Sequence, residues 1–339
     1  MTCLRPLPRT DLPRPPEARA LSGSAHVWWS EADLMQREAA TQRFLLDELT
    51  PTDRARLSAP RATLPGLATD RPLVMGIVNV TPDSFSDGGV AYAPETALAR
   101  AQAMAADGAD ILDIGGESTR PGAVDVPEAE EIKRVVPVIA AIRAEGITTP
   151  ISIDTRKAAV AQAALSAGAN MVNDVSALSH DADLAAVVAR AGVPVCLMHA
   201  QGDPQTMQRD PHYDNVLLDI HDYLLARMDF ALDQGIAPER LIVDPGIGFG
   251  KTLRHNLSLL SGLSLFHNLG AAVLLGASRK KFIGTLSGVD PAAARVPGSI
   301  AVALQAASQG AQIIRVHDVA ETVQALALWR AMTSEGAST

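Results

Sequence analysis

Short aliphatic and β-branched runs recur along this chain, and each ends on or beside a side chain that could do chemistry. The run Leu73 to Val80 carries Asn79, Asp110 to Ile114 carries Asp113, and Pro150 to Asp154 ends in Asp154. Asn170 to Val175 holds Asn173 and Asp174, Val193 to Met198 is followed by His199, and Leu241 to Asp244 ends in Asp244. Ser278, Arg279 and Lys280 follow Ala272 to Leu275, while Gln312 to Val316 contains Arg315 and runs into His317 and Asp318. One Asp or Asn in such a place could simply cap the next helix. Capping does not explain eight in succession, nor why acids and amides gather on the first six runs, His199 at the fifth apart, and cations on the last two. The division suits a ligand with a hydrogen-bond-donating, electron-deficient end and an anionic end. A strand-end carboxylate such as Asp244 can pair with two donors at once, and Arg315 and His317, two apart on one strand, point the same way as a paired anion clamp.

Elements must bring these side chains together. Between the runs lie helical stretches, among them Pro94 to Ala106, Ala158 to Ala167, Leu184 to Ala191 and Ile300 to Ser308; Gly108, Gly168, Gly192 and Gly310 suit helix ends. Repeated strand and helix in eight units predicts a closed (β/α)8 TIM barrel, an α/β fold whose strand ends converge on one mouth. An open doubly wound sheet would show fewer strands and a glycine fingerprint after the first, where this chain has Asn79. The barrel is assigned to residues 71–335. Residues 1–70 read as an N-terminal extension, rich in Pro and Arg at first, with a helix expected from Ser30 to about Leu49 and Ser30 as its N-cap. Its expected contribution is packing or solubility, not chemistry.

Composition narrows the class. Of the 339 residues 47% are hydrophobic and 20% charged, enough apolar side chain for a sizeable core. The net charge of -9 argues against nucleic acid or a membrane surface as partner, so an anionic substrate must be held by a local cluster of cations. Two cysteines, Cys3 and Cys196, give neither a disulfide framework nor a clustered zinc motif, which fits a reducing cytoplasm. No apolar run is long enough to span a membrane and no signal peptide is evident, so the protein is expected to be soluble and unexported.

Met75 to Gly89 resembles the first signature of the dihydropteroate synthase family, Asp113 to Gly122 the second, and Ser152 to Lys157 its third-strand segment. Val172 to Val175, Cys196 to His199, Asp244 to Lys251, Gly276 to Lys280 and Ile314 to Asp318 continue the match in order, whereas residues 1–70 lie outside it. An ordered set of blocks is far more specific than a lone glycine-rich string. The resemblance implies a transferase of folate biosynthesis that joins 6-hydroxymethyl-7,8-dihydropterin pyrophosphate to 4-aminobenzoate and releases pyrophosphate. It implies a pterin site of Asp113, Asp154, Asn173, Met198, Asp244 and Lys280, with Met198 against the ring face. Phe85, Thr119, Pro121, Phe249 and Ser278 would line the aminobenzoate site. Asn79, Ser118, Thr119, Arg120, Arg315 and His317 would take the pyrophosphate, with Asn79 also a ligand of Mg2+. Asp154, Lys280, Arg315 and His317 would act in catalysis. The glycine-rich stretches Thr81 to Gly89 and Gly115 to Ala123 are expected to close over the site, and the family analogy suggests a homodimer. A pterin-binding methyltransferase serving a corrinoid partner has no need of the Ser118-Thr119-Arg120 loop or the Arg315 and His317 clamp. A non-catalytic pterin-binding paralogue would not need Asn79, Arg120, Lys280 and Arg315 all intact.

Overall fold

A computed structural model of the chain describes residues 3–61, 64, 66–67, 70–81, 94–118, 125–202 and 206–334. The N-terminal region holds β1 (Cys3–Pro6), β2 (Arg19–Ala20), β3 (Trp28–Trp29), β4 (Glu31–Met35), β5 (Gln42–Leu45) and helix α1 (Pro51–Ser58). The barrel strands are β6 (Leu73–Asn79), β7 (Ile111–Gly115), β8 (Ile151–Asp154), β9 (Met171–Asp174), β10 (Val195–Met198), β11 (Leu241–Asp244), β12 (Ala272–Gly276) and β13 (Ile313–Val316). They pair in parallel around a closed ring, β13 returning to β6. Helices α2 (Pro94–Ala106), α3 (Glu128–Ala144), α4 (Ala158–Ser166), α5 (Leu184–Ala191), α6 (Val216–Asp233), α7 (Leu253–Ser261), α8 (Lys281–Ser287), α9 (Val296–Ser308) and α10 (Val319–Met332) complete the architecture. The expected barrel is therefore found, with strand limits within a residue or two of the apolar runs.

Period-two alternation sorts each strand into two cores. Outward-facing Val74, Val78, Leu112, Ile114, Ile153, Val172, Leu197, Val243, Leu275 and Val316 pack in the layer shared with the helices. Inward-facing Leu73, Met75, Ile111, Met171, Cys196, Ile242, Ala272, Leu274 and Ile313 form a separate apolar floor, closed from below by Leu64. One step further along the same inner faces the residues turn polar: Asp113, Asp154, Asn173, Asp244 and Arg315. The floor excludes water beneath that polar layer, so any charge there is balanced locally.

The helix expected from Ser30 to about Leu49 does not form. Its Glu, Ala, Leu, Met and Gln favour helix, but propensity is a weak prior that tertiary pairing overrides. Glu31–Met35 instead pairs antiparallel with both Cys3–Pro6 and Gln42–Leu45. Asp33, buried, draws the three strands together by accepting from Arg5 at 2.7 Å and Arg43 at 3.0 Å. A helix does begin two residues past that segment's expected end. Thr50 caps α1 by accepting from the Asp53 N–H at 3.1 Å, with Pro51 in the first turn, a start signal present in the sequence. The extension is not a loose appendage: Leu4, Leu21, Trp29, Ala32 and Leu57 share the outer core of the barrel. Ser264 donates to the Pro6 carbonyl at 2.8 Å, and Arg37 bridges to Asp219 and Asp222 of α6.

Candidate active site

Arg315 stands at the centre of the mouth, its Nε donating to Asp113 Oδ2 at 2.6 Å and its Nη2 to Asp154 Oδ2 at 2.7 Å. Burial alone would weaken its charge, but the two carboxylates outweigh that and hold it firmly protonated. Asn173 donates its amide to Asp113 Oδ2 at 3.2 Å. Asp113 is fully buried, yet its Oδ1 meets no donor among the described residues. Leaving such an oxygen unpaired costs about 1–3 kcal/mol, so it is poised for a ligand N–H. Burial raises the Asp154 carboxyl, with Asp113 pushing the same way and Arg315 pulling it down.

Asp244, on the neighbouring side, is held by a tight turn. The Gly246 N–H donates to Asp244 Oδ1 at 2.7 Å. Gly246 has φ +69°, and a Cβ there would lie 1.9 Å from the His199 carbonyl oxygen, so only glycine fits. Burial raises the Asp244 carboxyl, and Lys280 is the foremost influence pulling it back. Lys280 donates to the Ile247 carbonyl and lies 4.4 Å from the centre of the Phe249 ring. Burial lowers its ammonium to about 8, with Asp244 opposing the fall. Arg279, just before it, adopts φ +58°, unusual for a residue with a side chain. An ion pair with Asp318 and a hydrogen bond from the Arg279 N–H to Ser299 at 2.8 Å hold that turn, which aims Ser278 and Lys280 at the mouth. The Arg279 side chain is thus committed to structure.

Ser278 Oγ lies 3.0 Å from His317 Nδ1 and accepts from the His317 N–H at 3.2 Å. Arg315 lies on β13 and His317 one residue past its end; the first is engaged by carboxylates and the second by Ser278. Met198 lines the wall, buried beside Asp244 in the β10–β11 register. Asn79 ends β6 at the rim, half-buried, and Ser118 sits beyond the end of β7. Asp174 points outward, where it accepts from Ser176 and Leu178 N–H groups at 2.7 and 2.6 Å and so organises a loop. Phe85, Thr119, Arg120 and Pro121, with most of the two expected lids, lie outside the described residues.

Sequence reading overlooked Lys251. Its Nζ lies 2.9 Å from His199 Nδ1 and donates to the Phe249 carbonyl at 2.9 Å, tying the loop after β11 to the end of β10. Burial depresses that ammonium strongly and lowers His199 to about 2, so the histidine is neutral. Its position within the Asp244 to Lys251 block was the available signal. Lys157 was overlooked too, bound to Glu131 at 2.8 Å and Glu117 at 3.3 Å under the loop after β7.

Residues 75–317 match the family model described as pterin binding enzyme. The dihydropteroate synthase of Escherichia coli (strain K12) is 48% identical over 268 residues, covering 79% of this chain and 94% of that one. A crystal structure of the Xanthomonas albilineans dihydropteroate synthase with 4-aminobenzoic acid superposes with TM-score 0.75 at 50% identity, covering 79% of this chain and 96% of that one. The same enzyme in complex with 7,8-dihydropteroate gives TM-score 0.74 at 46% identity, covering 81% and 100%. Among the described residues no helix is long and apolar enough to cross a membrane.

Proposed function

The chain belongs to the pterin binding enzyme family, and we infer from this that it is a transferase condensing 6-hydroxymethyl-7,8-dihydropterin pyrophosphate with 4-aminobenzoate to give 7,8-dihydropteroate and pyrophosphate. The observation that carries the reading is the buried acceptor set at the mouth, Asp113 with an Oδ1 that has no partner among the described residues and Asp244 fixed by Gly246, facing the cation Lys280. Asp244 accepts from the amino and ring N–H groups of the pterin, Asn173 matches its mixed edge, and Asp113 Oδ1 takes a further N–H. Charge-assisted bonds of this kind contribute roughly 1.5–3 kcal/mol each, enough to orient a small heterocycle. Met198 packs on the ring, and Lys280 bridges the pterin and aminobenzoate sites, the latter lined by Phe249 and Ser278 with Phe85, Thr119 and Pro121.

The C–O bond to pyrophosphate breaks first, its electron pair leaving on oxygen, because the electron-rich ring delocalises the cation left on the methylene carbon. Asp154 and Asp113 stabilise that positive charge, while Arg315 and His317, with Ser118, Thr119 and Arg120, receive the anion. The arylamine lone pair then forms the C–N bond and the nitrogen loses a proton. Arylamines are unprotonated near neutral pH, so no strong general base is required. Asn79 offers one neutral hard oxygen at the rim, which fits Mg2+, an ion that takes few protein ligands alongside phosphate and water. Asn79 would hold the ion, whose charge would offset that on the leaving oxygens. Exposed Leu328 and Met332, one turn apart on α10, are apolar surface that a homodimer could cover, and cytoplasmic location completes the reading.

The test is pyrophosphate release by the purified chain. Release dependent on both substrates, with a product of dihydropteroate mass, supports the reading. Pterin binding without release, or methyl transfer from a methylated pterin, overturns it.

A further inference from the structure

The fold brings together three potential metal ligands, one of them from the extension. Cys3 Sγ on β1 lies 3.7 Å from His221 Nδ1 on α6, and Asp222 Oδ1 lies 3.4 Å from the same nitrogen. All three atoms fall within 4.8 Å of one another. A catalytic relay would engage the two imidazole nitrogens separately, whereas here thiol and carboxylate converge on one. Zinc bonds of about 2.3 Å to sulfur and about 2.0–2.1 Å to nitrogen and oxygen, at tetrahedral angles, put sulfur and nitrogen about 3.6 Å apart and nitrogen and oxygen about 3.4 Å apart. The observed separations match both edges.

The surroundings orient the ligands. Arg37 donates to Asp222 Oδ2 at 2.6 Å, which leaves Oδ1 turned to the histidine. Asn268 Nδ2 lies 3.1 Å from His221 Nε2; a metal on Nδ1 puts the proton on Nε2, so the amide turns over to present its Oδ1 as the acceptor there. His221 is fully buried, Cys3 half-buried and Asp222 largely exposed, so solvent reaches the site from the carboxylate side. Cys3 and His221 are 218 residues apart, which is why no ligand spacing is visible in the sequence.

We propose that Cys3, His221 and Asp222 bind one zinc ion that clips the N-terminal strand to α6, a site distinct from the pterin site and its Mg2+. Sulfur, imidazole and carboxylate donors suit zinc and disfavour Mg2+, which seeks oxygen alone.

The full chain is stripped with chelator, exposed to zinc or cobalt, and freed of loose metal by gel filtration. Expected are about one retained zinc per chain and, with cobalt, tetrahedral visible bands plus a near-ultraviolet sulfur-to-cobalt band. Cys3→Ser abolishes the sulfur band, and both it and Asp222→Asn weaken zinc binding at least about tenfold. Should Cys3→Ser fail to fold, alkylation of the wild-type chain decides: zinc must protect Cys3 and chelator must reverse the protection. No retained metal, a cobalt spectrum lacking the sulfur band, or equal Cys3 alkylation with and without zinc overturns the proposal.

Discussion

Replacing Arg315 with methionine keeps most of the side chain's volume and strands two carboxylates that one guanidinium now serves. Asp113 and Asp154 are both buried, with N–O separations of 2.6 and 2.7 Å to the arginine. Removing one partner of a buried ion pair costs about 3–5 kcal/mol, and a cation shared by two carboxylates belongs at the upper end. For a chain of this size that lowers Tm by on the order of 10 °C. The loss has a pH signature. Burial already raises the Asp154 carboxyl on folding, and losing Arg315, which pulls it down, raises it further. Groups raised on folding favour the folded state at acid pH, and this contribution is lost as pH rises through the folded pKa. The gap between Arg315→Met and wild type must therefore be smaller near about pH 5 than near about pH 8, where Asp154 is driven to ionise. Adding Asp154→Asn to the variant removes one stranded charge and restores on the order of 2 kcal/mol. Urea unfolding at the two pH values reads all of this. A variant as stable as wild type, a gap that does not depend on pH, or no recovery in the double variant would refute the reasoning.

Other expectations follow from single features. Lys280 is held down to about 8 by burial, so it is cationic below that pH and neutral above; affinity for the pterin pyrophosphate should fall as pH rises through about 8, and Lys280→Gln should flatten that titration. Gly246→Ala forces a Cβ onto the His199 carbonyl and should cost about 3 kcal/mol or more in unfolding experiments, while weakening pterin binding through the displaced Asp244. Trp29→Ala empties a fully buried position within the extension and should cost about 3–5 kcal/mol by urea unfolding with retained pterin affinity, since the residue belongs to the outer core rather than to the inward-facing polar layer.

Much of the barrel was legible because its strands are buried on both faces and read as unbroken apolar runs, and because the mouth breaks that rule at Asp113, Asp154, Asp244 and Arg315. Which partner each residue takes was not legible. Period two shows that Arg315 faces inward but not that Asp113 and Asp154, more than 150 residues away in sequence, claim two of its nitrogens. Asp174 and Asp244 look alike as strand-end acids; register sends the first outward to a loop and the second inward. In the extension, Ala, Glu and Leu encouraged a helix where Cys3–Pro6 supplied a strand partner. Thr50 and Pro51 marked the true helix start, a local signal that needs no tertiary context.

The polarity of the site is the central claim, and calorimetry of two ligands on three proteins tests it most directly. Hydroxymethyl dihydropterin and its pyrophosphate are titrated into wild type, Asp244→Asn and His317→Ala. Asp244→Asn should weaken both ligands at least about tenfold, since both carry the ring it anchors. His317→Ala should weaken the pyrophosphate alone and leave the hydroxymethyl compound unchanged. If Asp244→Asn spares both ligands, or if His317→Ala weakens them equally, the division between a carboxylate end for the pterin and a cationic end for the leaving group is wrong.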